Sequence, residues 1–370
     1  MQIDFHLGAT YVLARMSGFS PFEANTIASA SQYVDDAVHE GTILFSNRSV
    51  YQFTASAHRM LDYRNFKELA NHHAWIPFHF IPGNEVRESE IDPLVQKLIC
   101  RPNSLIAQEI TRNCMQNFHR PYGYHLLGVT THTYIDTWAH QGFSGITHEM
   151  NKVYDIYDDE GAIDTEMLDY RDQYFRKGKH RPWWRYLSDW IVSYFVSEAN
   201  PIGHGSVLSY PDLPYLKWSY RNWKGDIVER NNPKDYLEAV NHVLAFYKSV
   251  REFHKLTTLK IQDRDLAKIK ELVENVDDED SEERLKKWEN AIRCGEFSFG
   301  ADTWKYSIEG QDSWLKEAFD YDTQDEFEYE NVTYKEAFLK SNWKLMHDAL
   351  AYYRFSVLHE ILPKYQICVA

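Results

Sequence analysis

Imidazole and carboxylate side chains recur in one register between His125 and His140: His125, His132, Asp136 and His140 are separated by seven, four and four residues. At the period of an α-helix these steps return to one face, so three imidazoles and a carboxylate converge. Neutral imidazole nitrogen and carboxylate oxygen are the donors that a borderline cation such as zinc selects, and i, i+4 spacing lets donors share or bridge ions. The other reading is a polar stripe of hydrogen-bonded or hydrated histidines. Leu126, Leu127, Val129, Ile135 and Trp138 leave such a stripe little free surface, which favours metal.

Two further carboxylates, Asp35 and Asp36, fall in or just after the last turn of an earlier helix. There the macrodipole disfavours negative charge, so a compensating cation is expected, a metal on one reading and a nearby Arg at a solvated helix end on the other. Histidine is also unevenly spread: 13 of the 17 lie at or before His204. Chemistry is therefore expected in the first two thirds of the chain.

The elements that must hold these groups are helices. Ser20 can cap, Pro21 suits the first helical position and Glu23 completes a capping box, which predicts a helix from Pro21 to about Asp35. Ala24, Ala28 and Ser31 give it a small-residue face that another helix can approach closely. The histidine-bearing helix should run from about Tyr122 to Gln141, stopped by Gly142. Strand signals are few, so the expected fold is all-α, a multi-helix bundle. Residues 1–255 read as the helical metal-binding domain. The charged stretch 256–293 reads as solvent-facing helices around an acidic turn, followed by closing helices that pack back on the main body, with 256–370 as the second unit.

The chain carries 40 Lys and Arg against 55 Asp and Glu, a formal charge of −15, which excludes a protein that grips nucleic acid through a general positive field. Cys100, Cys114, Cys294 and Cys368 lie far apart without a CxxC pair and read as reduced thiols. No leader-like apolar run and no membrane-length segment is evident, so the cytoplasm is the expected location. His148-Glu149, His39-Glu40 and His359-Glu360 lack the second histidine of HExxH, and neither a P-loop nor GxSxG occurs.

The run Leu126-Leu127-Gly128 followed by His132, Asp136 and His140 resembles the zinc-dependent phospholipase C and S1/P1 nuclease superfamily, and bacterial members carry a similar LG-x3-H-x3-D-x3-H run. The resemblance implies a helical zinc phosphodiesterase in which a metal-activated hydroxide attacks phosphorus. It implies one zinc site from Asp35 or Asp36, His79, His132 and Asp136, and the core of a second from His140 and His204. Asp212 is the candidate carboxylate of that second site, with Glu149 behind it. Secreted members bind a third ion through the amine of an N-terminal Trp, which is lacking here, and Asp4 and His6 are the candidate substitutes. Asp35 or Asp36 is the implied general base and Asp136 the implied bridge between ions. His125, His148, His180 and Arg181 are expected around the ligands or substrate. Two or three zinc ions are expected, with a phospholipid favoured over single-stranded nucleic acid as substrate. A single-strand nuclease, a nucleotide phosphodiesterase and a non-catalytic metal-binding protein are the alternatives. The basic, Trp-containing stretch Lys177 to Arg185 suits a headgroup or peripheral membrane contact, or else a helix start with its Trp pair in the core. A regulatory protein partner would protect the cell from such an activity.

Overall fold

The computed structural model describes residues 1–57, 68–85, 92–169, 202–324 and 326–369. An N-terminal arm, π-helical over Asp4–Ala9 and α-helical over Thr10–Met16 (α1), turns into α2 (Pro21–Asp36). The capping box expected at its start is present. The Glu23 amide donates to Ser20 Oγ at 3.4 Å, and the Ser20 amide donates to Glu23 Oε2 at 2.8 Å. Helices α3 (Glu68–Phe78), α4 (Pro93–Leu98) and α5 (Leu105–Asn117) lead to α6 (Gly123–Ala139), which carries the histidine register.

Every residue of α6 except Tyr124 is buried. Such a helix is core on all sides, so its polar groups must find partners inside the protein. Around it pack α2, α5, α7 (Asn232–Phe253) and, near the C-terminus, α11 (Asn342–Phe355). Helices α2 and α6 approach closely at Gly128, where a Cβ would lie 2.3 Å from the Ile27 carbonyl oxygen and 2.6 Å from Ala30 Cβ. The small-residue face of α2 thus meets a glycine, and the two backbones come together beside His132.

The charged stretch forms α8 (Asp263–Glu274) and α9 (Ser281–Arg293) on either side of an acidic turn, followed by the short α10 (Trp314–Phe319). Ile269, Leu272, Trp288, Trp343 and Met346 belong to the same hydrophobic core as Phe5, Leu127 and Tyr247. A smaller cluster holds Phe80, Phe143, Trp218 and Tyr220.

The all-α expectation needs correction, because the chain is mainly helical but carries two small antiparallel sheets. β1 (Gly41–Leu44) pairs with β2 (Val50–Phe53), and β4 (Lys217–Asn222) lies between β3 (Val153–Tyr157) and β5 (Ile227–Asn231). β1, β2 and β5 each bury a single residue, so they lack the long apolar alternation that marks a strand in sequence. Among the described residues, no helix is long and apolar enough to cross a membrane.

Two buried histidines outside the cluster described below set a pH dependence. His347 donates through Nδ1 to the Thr54 carbonyl at 3.1 Å, and burial pushes its pKa down to about 3. His125 bonds Asn342 at 3.1 Å, and burial pushes it down to about 4. The unfolded chain binds these protons near pH 6.5 and the folded chain does not, so stability is complete above that pH and is lost as pH falls toward 3–4. Each histidine should contribute a slope of up to about 1.4 kcal/mol per pH unit. Denaturant titrations of metal-stripped protein at pH 7.5, 6 and 5 should show this slope, and His347→Gln should reduce it. An unchanged slope in that variant would exclude His347 as a source.

Candidate metal centre

Helix α6 presents His132 and Asp136 four residues apart, with His140 capping its C-terminus. Asp35 enters from the last turn of α2, His79 follows α3, His6 comes from the π-helical arm, and His204 and Asp212 sit in two short turns. Residues far apart in sequence therefore meet at one end of α6.

Hydrogen bonds to backbone carbonyls fix the imidazole rings. Toward a carbonyl only an N–H can serve, so the nitrogen that faces it carries the proton and the other nitrogen keeps its lone pair. His132 Nδ1 donates to the Ser31 carbonyl at 2.8 Å, and His79 Nε2 to the Ser56 carbonyl at 3.2 Å. His140 Nδ1 donates to the His79 carbonyl at 2.7 Å, and His204 Nδ1 to the Leu208 carbonyl at 2.7 Å. The lone pairs that remain, on His132 Nε2, His79 Nδ1, His140 Nε2 and His204 Nε2, face carboxylate oxygens, and that of His140 also faces the Met1 ammonium.

Their spacing is that of ligands. In a first set, His132 Nε2 lies 3.3 Å from His79 Nδ1 and 3.3 Å from Asp136 Oδ2, while His79 Nδ1 is 3.5 Å from Asp136 Oδ2. Asp35 Oδ1 completes it at 3.7 Å from His132 and 3.8 Å from His79. In a second set, Asp212 lies 3.6 Å from His140 Nε2 and 3.7 Å from His204 Nε2. Tetrahedral donors about 2.0–2.1 Å from a zinc ion are about 3.3–3.4 Å apart, close to these values.

Asp136 stands between the sets. Its Oδ2 faces the first, while its Oδ1 accepts from the Met1 ammonium at 2.7 Å and lies 3.3 Å from His6 Nε2. The same ammonium is 3.2 Å from Asp212 Oδ1 and 3.5 Å from His140 Nε2. His6 stacks on His132, with ring centroids 3.8 Å apart.

Charge favours a bound cation. Burial opposes ionisation of the Asp136 carboxyl, but His140 and the Met1 ammonium outweigh it and hold Asp136 well below the usual carboxylate range. Burial likewise opposes the Met1 charge, but Asp136, Asp212 and Asp35 hold the ammonium up at about 11. Burial, with the Met1 charge second, pushes His6 down to about 4, and burial pushes His204 to about 4. The neutral imidazoles of His6 and His204 therefore lie in a cluster whose central carboxylate, Asp136, is ionised. Both ring nitrogens of His6, Asp136 Oδ2 and Asp212 Oδ1 are buried and make no hydrogen bond. Asp212 Oδ1 has the Met1 ammonium 3.2 Å away, but Asp136 Oδ2 and the unprotonated nitrogen of His6 are costly unless a cation satisfies them, so the donor set fits one or more metal ions.

Among the expected residues, the structure brings together His6, Asp35, His79, His132, Asp136, His140, His204 and Asp212. Others lie elsewhere. Asp4 pairs with Arg284 at 2.7 Å, because its side chain leaves the arm on the side away from His6. Asp36 bonds Tyr306 and accepts from Gln32 at 3.2 Å, so of the two aspartates only Asp35 enters the cluster. His125, seven residues before His132, reaches Asn342. His148 accepts the Met150 amide at 3.2 Å as the cap of a short turn, and Glu149 is exposed. His180 and Arg181, with the Lys177 to Arg185 stretch, lie outside the described residues.

Two contributors escape sequence reasoning. The Met1 ammonium, and not Asp4, stands with His6 at Asp136, and the amine ligand of the secreted members of the resembling superfamily was the signal for it. Arg230 donates to the Trp138 and Ala139 carbonyls at 3.1 and 3.0 Å, closing the end of α6 next to His140, and no local pattern marks it.

A cleft of about 310 Å³ reaches Asp35 between the end of α2 and the C-terminal segment. Tyr33, Asp36, Phe53, Glu309 and His347 help to line it.

Residues 1–361 match the family described as "Family of unknown function (DUF6765)". No curated protein and no solved structure matches the chain.

Proposed function

We propose that this chain, which belongs to that family of unknown function, is a zinc-dependent phosphodiester hydrolase of the phospholipase C type. One observation carries this: two sets of imidazole lone pairs and carboxylate oxygens stand at ligand spacing, one containing Asp136 and the other Asp212, with the Met1 ammonium between those two carboxylates. Asp35, His79, His132 and Asp136 would hold one ion, and His140, His204 and Asp212 another, with the Met1 amine and His6 beside them. The resemblance of the Leu126 to His140 run to the zinc phospholipase C and S1/P1 nuclease superfamily points the same way.

Bound zinc supplies Lewis acidity toward phosphoryl oxygens and lowers the pKa of water. The protein's own residues supply the rest. Asp35, one third exposed where the cleft meets the cluster, is placed to take a proton from an attacking water. Its carboxyl is pushed well above its ordinary pKa by burial and by Asp136, which strengthens it as a proton acceptor. Asp136 gives one oxygen to the first set and the other to the Met1 ammonium and His6.

The cleft bears on the substrate. Asp36 and Glu309 add carboxylates to a lining that includes Tyr33 and Phe53, which repels a polyanionic strand and tolerates an uncharged or cationic group beside the reacting phosphate. This supports a phospholipid over single-stranded nucleic acid.

Bis(p-nitrophenyl) phosphate should be hydrolysed by the purified protein, with activity abolished by chelator and restored by Zn²⁺. Phosphatidylcholine should then be cleaved faster than single-stranded DNA. Metal binding without turnover of any of these would instead support a non-catalytic metal-binding protein.

A further inference from the structure

The C-terminal third meets the N-terminal arm at a buried arginine. Arg284, on α9, is 1% exposed and has a hydrogen-bond partner for each of its five N–H groups. Nε donates to Asp4 Oδ2 at 2.7 Å, and Nη2 to Asp4 Oδ1 at 3.2 Å and to Gln2. Nη1 donates to the Asp278 and Glu279 carbonyls at 2.6 and 3.0 Å. Arg284 therefore ties the acidic turn before α9 to the first residues of the N-terminal arm.

That arm delivers His6. Its π-helical turn places the ring against His132 and Nε2 3.3 Å from Asp136 Oδ1 and 3.9 Å from Asp35 Oδ2. Two residues on, a Cβ at Gly8 would lie 3.0 Å from Trp288 of α9, so helix and arm are in close contact there as well. A π-helical turn departs from the commoner α geometry and needs outside contacts to hold it. A buried ion pair is a poor source of net stability, because desolvation offsets most of its attraction, and an apolar pair is often as stable. What the three bonds to Asp4 and Gln2 supply, from a side chain that two further bonds tie to the acidic turn, is a single position for the arm.

We infer that Arg284 is a positioning residue for the metal centre, holding the arm through Asp4 and Gln2 so that His6 stands at the first set of ligands. This rests on the metal-binding reading above. It assigns the charged stretch a role in completing that centre.

Arg284→Met combined with Asp4→Leu removes both charges without leaving either unpaired. The metal-free double variant should unfold near the wild-type midpoint. Titrated with Co²⁺, it should bind about 10–100-fold more weakly, with a changed visible spectrum. His6→Ala should give a loss of similar size, and adding it to the double variant should cost little more. Should the double variant not fold, Arg284→Lys carries the same test. Lys keeps the charge opposite Asp4 but not the five-bond fork, so weaker Co²⁺ binding and the altered spectrum are expected. Wild-type affinity and spectrum, or additive losses with His6→Ala, would overturn the proposal. Failure of the unaltered protein to bind Co²⁺ would overturn the metal reading and this inference with it, whereas binding indifferent to Arg284 would overturn this inference alone.

Discussion

Asp136→Asn should abolish tight metal binding while leaving a folded protein. Asn keeps the shape of the side chain but removes the charge that faces His132 and His79 through one oxygen and Met1 and His6 through the other. The first set loses its central anion, and the Met1 ammonium, which also lies beside the second set, keeps only its ion pair with Asp212 at 3.2 Å. A ligand that binds only the folded state stabilises it by about 4 kcal/mol at a thousandfold excess over Kd. Wild-type protein should gain about that much with zinc at this excess, and Asp136→Asn less than about 1 kcal/mol at the same concentration. Denaturant unfolding with and without zinc measures both. Equal zinc stabilisation of the two proteins would remove Asp136 from the centre.

Gly128→Ala is the second large effect, and here two contributions oppose one another. Alanine in place of glycine favours a helix by about 0.8–1 kcal/mol. The added Cβ, however, would sit 2.3 Å from the Ile27 carbonyl oxygen, 2.6 Å from Ala30 Cβ and 3.0 Å from the Ser31 amide nitrogen. Backbone cannot swing aside as a flexible side-chain tip can, so α2 and α6 must separate. Overpacking of this kind costs about 1–3 kcal/mol and outweighs the propensity gain. Separation also lengthens the 2.8 Å bond from His132 Nδ1 to the Ser31 carbonyl and draws Asp35 away from His132. Gly128→Ala should therefore be less stable than wild type and bind zinc at least about tenfold more weakly. A variant more stable than wild type, with metal affinity intact, would mean that the helices do not approach as described.

The parts of this structure that could be read in advance are those set by local rules. The capping box at Ser20, the small-residue face of α2 and the 132/136/140 register depend only on helix period and end chemistry, and the structure carries each of them. Asp35 could not be told from Asp36 in that way, because the two lie about 100° apart on a helix and only the packing of α2 on α6 decides which turns inward. The Met1 amine and Arg284 act across more than a hundred residues, with no local pattern to announce them. The two sheets were missed for another reason. Their strands are four to six residues long with few buried positions, so backbone pairing, and not an apolar pattern, defines them.

Elemental analysis of protein purified without added metal or chelator is the most direct test that buried imidazoles and carboxylates here form a metal centre. About two zinc ions per chain are expected, falling to a small fraction of that in Asp136→Asn and His132→Ala. Folded, soluble protein with no stoichiometric transition metal, and none taken up on incubation with Zn²⁺, would contradict it.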